Sequence, residues 1–194
     1  MSLSESSLLL DRAVLPPPDA IVRQVARHGF SLAFPAGFAV AQGQSDWIPV
    51  TVNGAVSGFD YGVHPRAGYG ADDPEAPAFP DFGDTVLAFA ARHDQTSLLA
   101  VALVQRAICE LTNAQGWWHE GEEHLDNAGM IEFCTATIAA VKANPKPAPA
   151  RQARFDNDYF RTAGKALAGF VAVMAGIWLV ALLMGTFFAP GAQQ

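Results

Sequence analysis

Residues Trp47–Val63 read WIPVTVNGAVSGFDYGV, and this stretch decides how the chain folds. Two runs rich in β-branched and aromatic residues, Trp47–Val52 and Val56–Val63, flank Asn53-Gly54. Asn and Gly accept the positive φ angles of a two-residue type I′ turn, so the pattern predicts a β-hairpin. Gly58 in the second arm predicts a bulge or a close backbone approach.

Working outward, Ser7–Val14 (SLLLDRAV) predicts a first strand stopped by Pro16, Pro17 and Pro18. A helix begins at the prolines or Asp19, places Ile21, Val22 and Val25 inward, and ends at Arg27, His28 and Gly29. Phe30–Phe34 and Phe38–Val40 read as strand, as does Thr85–Ala91. Asp94 then caps a helix over about residues 95–113, whose LLAVALV is apolar nearly all round and belongs at the domain centre. Gly116–His119 suits a short strand or turn. Asp126 caps a last helix, Asn127–Ala143, with Met130, Phe133, Cys134, Thr137, Ile138 and Val141 on one face. This order predicts an α+β domain over residues 1–144, an antiparallel sheet with helices packed on one face.

Beyond it the composition changes. Residues 145–165 form a Pro/Ala-rich linker, a semi-extended spacer. Ala166–Ala189 (ALAGFVAVMAGIWLVALLMGTFFA) holds 24 uncharged residues. As a helix it would reach about 36 Å at about 1.5 Å per residue, enough for a hydrocarbon core of about 30 Å. A transmembrane helix is therefore expected, followed by a short extracytoplasmic tail, Pro190–Gln194. Lys146, Arg151, Arg154, Arg161 and Lys165 precede this span and no cation follows it. Cations stay on the cytoplasmic side, so a single-pass, tail-anchored protein of a bacterial inner membrane is expected, with its N-terminus cytoplasmic. Leu8–Leu10 is too short for a signal-peptide core. Gly164, Ala168, Ala172 and Gly176 fall on one stripe of the helix, a spacing that lets two copies approach and form a homo-oligomer.

Charge is divided unevenly. Residues 1–144 carry 17 acids against seven Lys and Arg, a net −10, whereas residues 145–165 carry +3. An acidic domain repels phosphate backbones, which excludes nucleic acid as a natural partner and favours a basic protein.

Chemistry-bearing residues are sparse. HEGEEH at 119–124 has the residue types of a zinc motif, but His119 and His124 lie five apart, about 140° out of register on a helix. A loop could still gather His119, Glu122 and His124 around a metal; solvated acids in a turn are the simpler account. His93 and Asp94 beside Arg92 lack a nucleophile, and Asp94 is explained as a cap. His28 and His64 stand isolated. Cys109 and Cys134, amid apolar neighbours, read as buried thiols. There is no phosphate loop, and no cofactor is expected.

Residues 65–84, PRAGYGADDPEAPAFPDFGD, are long for a connection. They interleave Tyr69, Phe79 and Phe82 with Asp72, Asp73, Glu75 and Asp81, pairing contact area with steering toward a basic partner. Adjacent Trp117 and Trp118 cannot both enter one core from an extended backbone, so one is expected at a surface.

The hairpin pattern Asn53-Gly54-x-x-x-Gly58-Phe59-Asp60-Tyr61, followed by an alanine-rich helix, resembles small bacterial α/β proteins of the immunity-protein type. The likeness covers about residues 7–143. It implies a small, acidic, catalytically inert domain that neutralises a toxin, and the anchor departs from the commoner soluble form. The reading is a non-enzymatic protein-binding module on the lipid bilayer. Its alternatives are a membrane-tethered metal-assisted hydrolase using the His119–His124 cluster, and a structural or assembly role for the anchor.

Overall fold

The computed structural model describes residues 5–42, 46–69, 80–92, 94–119 and 123–144. They form strands β1 (Glu5–Leu10), β2 (Leu32–Ala33), β3 (Asp46–Val52), β4 (Ala55–Pro65), β5 (Thr85–Ala90), β6 (Gln115–Trp118) and β7 (Glu123–Leu125), and helices α1 (Pro18–Arg27), α2 (Gln95–Leu111) and α3 (Asn127–Ala143). The strands make one seven-stranded sheet in the order β2-β3-β4-β5-β1-β6-β7. Every neighbouring pair is antiparallel, which gives the α+β architecture.

The hairpin of β3 and β4 turns where expected. Asn53 has φ 51° and Gly54 φ 80°, the two positive angles of the tight turn. Pairing runs without interruption from Val52↔Ala55 to Asp46↔Tyr61, so Gly58 marks no bulge. It is a close approach instead: a Cβ there would lie 2.5 Å from the Trp47 indole and 2.6 Å from the Ile48 carbonyl oxygen.

The helices form one layer. Both α1 and α3 pack against α2, which lies on β3 and β4. Leu8, Leu10, Phe59, Tyr61, Leu87 and Phe89 point into this layer and share a buried cluster with Ile21, Val25, Val101, Val104, Ile108, Met130, Cys134 and Ile138. Asp94 caps α2 by accepting from the Ser97 N–H at 2.7 Å, and Asp126 caps α3 by accepting from the Gly129 N–H at 2.8 Å. Gln24 and His28 at the end of α1 bond Glu110 on α2, at 2.7 Å each.

Some local expectations are corrected. Beyond Leu10 the chain turns through a short 3-10 segment, Arg12–Val14, rather than staying extended. Strand β2 is only two residues, and Val40–Gln42 is 3-10, with Val40 accepting a hydrogen bond from the buried Tyr61 hydroxyl at 2.7 Å. The last two residues of HEGEEH, Glu123 and His124, begin β7, which pairs with β6. Pro49 in β3 pairs with Gly58 on one side only, since β2 reaches no further than Thr51 and Val52.

Among the described residues no helix is long and apolar enough to cross a membrane. The linker 145–165, the span Ala166–Ala189, the stripe Gly164, Ala168, Ala172 and Gly176, and the tail Pro190–Gln194 lie outside the described residues.

Candidate functional site

Alternation along a strand puts Asp60, Gly62 and His64 on the face opposite Phe59, Tyr61 and Val63. That face carries no helix among the described residues. Register then builds it row by row. Trp47, Asp60, Ala90 and Glu5 lie side by side across β3, β4, β5 and β1, and the His119 N–H reaches the Glu5 carbonyl at 3.4 Å. The next row runs Gly62, Ala88, Ser7, Trp117 and His124. Glycine and alanine leave the middle of both rows empty of bulk.

The emptiness is a cavity of about 220 Å3, bounded by Glu5, Ser7, Asp60, Gly62, His64, Tyr69, Ala88, Ala90 and His119. His64 folds back over Gly62, where a Cβ would meet its Nε2 at 2.5 Å. The His64 and Tyr69 rings lie 5.0 Å apart. Ser7 Oγ and His119 Nε2 share a hydrogen bond of 3.0 Å, and the Ser7 side chain also bonds the Tyr69 phenol. On the outer wall the Arg92 guanidinium sits 3.8 Å over the Trp47 ring and 3.5 Å from the Asp60 carboxylate.

Electrostatics follow from burial. The His119 pKa is lowered because burial disfavours the imidazolium, with the Glu5 charge opposing weakly. Burial pushes the Tyr69 phenol up, the Ser7 hydrogen bond opposing and Glu5 reinforcing. Both groups are therefore neutral near pH 7, and the acidic side chains bordering the cavity are Glu5 and Asp60. A serine beside a neutral histidine has the composition of a nucleophile and its base. Ser7, however, is 0% exposed and its hydroxyl is engaged by both His119 and Tyr69. Here it links the two rings and fixes their orientation.

The residues expected from sequence are scattered. Tyr69 borders the cavity. Asp81 instead pairs with Arg66 at 2.6 Å, and Arg66 also donates to the Gly83 carbonyl at 2.8 Å, tying the two ends of the long connection together. Phe82 is half-buried beside them. Asp72, Asp73, Glu75 and Phe79 lie outside the described residues, as do Glu122 and His93. Trp117 and Trp118 take opposite faces: Trp118 packs 5.4 Å from Phe133 of α3, and Trp117 lies in the small-residue row, both half-buried. His119 bonds Ser7, and His124 Nε2 bonds Gln115 Oε1 at 2.8 Å. Among the described residues no three His, Cys, Asp or Glu side chains gather as metal ligands. Cys109 and Cys134 are buried free thiols; burial pushes Cys109 up to about 12 and Cys134 well above its ordinary value, which leaves both unreactive.

Sequence reasoning missed Glu5, Ser7, Asp60 and His64, which come together only through the register of separate strands. The alternation Asp60, Gly62, His64 within the hairpin arm was the available signal. Compared with protein-family models, curated proteins and solved structures, the chain shows no significant match to any of them.

Proposed function

We propose that the chain is a non-enzymatic protein-binding module held at the inner face of a bacterial membrane by its C-terminal apolar span, and that it engages a basic protein through the face of its sheet opposite α1, α2 and α3. Neutralisation of a toxin, as in immunity proteins, is the sharpest form of this reading. One observation carries it: that face presents Val56 at 78% exposure, together with half-buried Trp47 and Trp117, beside the carboxylates of Asp60 and Glu5. Exposed apolar and aromatic groups supply contact area, and acids at their edge select a basic partner. The −10 charge of residues 1–144 supports steering of that kind. Tethering to a bilayer raises the local concentration of module and partner alike.

The test is site-specific photo-cross-linking of the full-length chain in its native membranes. A photoreactive residue at Val56 is expected to capture a basic protein, and the same residue at Leu111 on α2 is not. Equal capture from both positions, or from neither, refutes the assignment of the face. Recovery of the full chain in the soluble fraction without detergent refutes the anchor.

A further inference from the structure

We infer that the cavity on the sheet face opposite α1, α2 and α3 receives a single lysine or arginine side chain of the protein partner, an assignment that rests on the binding-module reading and names what the module grips. At about 220 Å3 the cavity falls below the roughly 300–1,000 Å3 of pockets that enclose a drug-sized ligand. One long side chain fills such a space; a peptide backbone does not enter it.

Its charge selects a cation. Asp60 on β4 and Glu5 on β1 both stand beside Ala90 on the strand between them. Their backbones are two strand spacings apart, about 9.5 Å, and only a methyl group rises in the gap. A cation in that gap lies within reach of both carboxylates. Glu5 makes no ion pair among the described residues. The Asp60–Arg92 contact, at 3.5 Å between partners 39% and 54% exposed, is weak enough to yield. Two carboxylates repel an anion, and the metal alternative lacks a third ligand among the described residues. Aromatic rings complete the fit. His64 and Tyr69 form one wall, and the same face already carries a guanidinium on Trp47, at 3.8 Å, a geometry that an incoming cation over Tyr69 would repeat.

The test uses the full chain in lipid nanodiscs and fluorescein-labelled Gly-Gly-X-Gly amides, with X as arginine, lysine or citrulline. The arginine and lysine probes are expected to raise anisotropy on binding, with citrulline at least ten-fold weaker. Glu5→Gln with Asp60→Asn is expected to weaken the arginine probe ten-fold or more. Asp11→Asn with Glu132→Gln, an equal change of net charge at exposed sites away from the cavity, is expected to change it less than two-fold. Equal losses in the two double variants, or equal binding of citrulline, overturn the proposal; unchanged circular dichroism and melting confirm that the variants fold. Cross-linking from Val56 separates this inference from the reading beneath it. Loss of the captured partner in the Glu5→Gln, Asp60→Asn variant supports the cavity. Undiminished capture overturns the cavity and leaves the binding module standing. Arginine-probe binding with no captured protein overturns the partner as the source of the cation and leaves a site for a free amine.

Discussion

Replacing Glu110 with alanine should destabilise the domain by about 2–4 kcal/mol at pH 7, and the structure shows why. Glu110 is 15% exposed on α2. Its Oε2 accepts from Gln24 Nε2 and His28 Nε2, both at 2.7 Å, and its Oε1 accepts from Arg106 Nε at 2.8 Å. Gln24 and His28 belong to the end of α1, so one carboxylate clamps two helices. A hydrogen bond to a charged group contributes about 1.5–3 kcal/mol, and three sharing one carboxylate do not add in full. Removing it also strands a guanidinium 19% exposed and an amide without their acceptor. Burial alone would raise the Glu110 pKa, but the bonds from Gln24, His28 and Arg106 outweigh it and hold the carboxyl below its ordinary 4.5. A depressed folded pKa means that this stabilisation is fully present above about pH 4.5 and disappears as pH falls through the lower folded value. Urea denaturation of wild type and Glu110→Ala, followed by tryptophan fluorescence at pH 7 and again near pH 2.5, should show a large midpoint difference that collapses in acid. A difference below about 0.5 kcal/mol at pH 7, the size of an ordinary surface substitution, would refute the clamp, as would one unaltered by acid.

Three further outcomes are expected. Gln105 is 0% exposed, its Nε2 bonds Ser6 Oγ at 2.8 Å, and its Oε1 has no partner among the described residues. Ser6→Ala alone should therefore cost about 1–3 kcal/mol, while Ser6→Ala with Gln105→Leu should be near neutral or stabilising, as read by a thermal double-mutant cycle. Gly54→Val should cost about 1–2 kcal/mol because the residue sits at φ 80°, whereas Val56→Thr on the neighbouring exposed strand position should cost less than about 0.5 kcal/mol, both measured by urea titration. Cys109 and Cys134 should resist a thiol-specific colorimetric reagent in the native protein at pH 8 and react fully in denaturant; prompt native reaction would contradict their burial.

The fold was legible where the signal is local. Asn53-Gly54 needs only its own backbone angles, and Asp94 and Asp126 need only an N–H three residues on, so the hairpin and the starts of α2 and α3 fall at the expected positions. Strand β7 was hidden because Glu123 and His124 are polar and the segment is held extended by pairing with β6 rather than by propensity. Phe38–Val40 read as strand on composition, but Phe38 stacks on Phe34 at 4.5 Å and Val40 supplies its carbonyl to Tyr61, contacts that reward a turn. The cavity was hidden for a related reason. Its residues, Glu5, Ser7, Asp60, His64 and His119, are drawn from β1, β4 and the residue just past the end of β6, and their approach depends on which strand lies next to which. Tyr69 was singled out for its place among acids, and it reaches the site through Ser7.

The two margins of the sheet bear on how the protein behaves when crowded. A strand with free amides and carbonyls along its outer side invites a second chain to extend the sheet, the first step of fibre growth. Here the outermost strands offer two and three residues, and where β3 runs past the short β2 its exposed run contains Pro49, which has no amide hydrogen to give. Copies at high concentration are thereby denied a template for polymerising edge to edge.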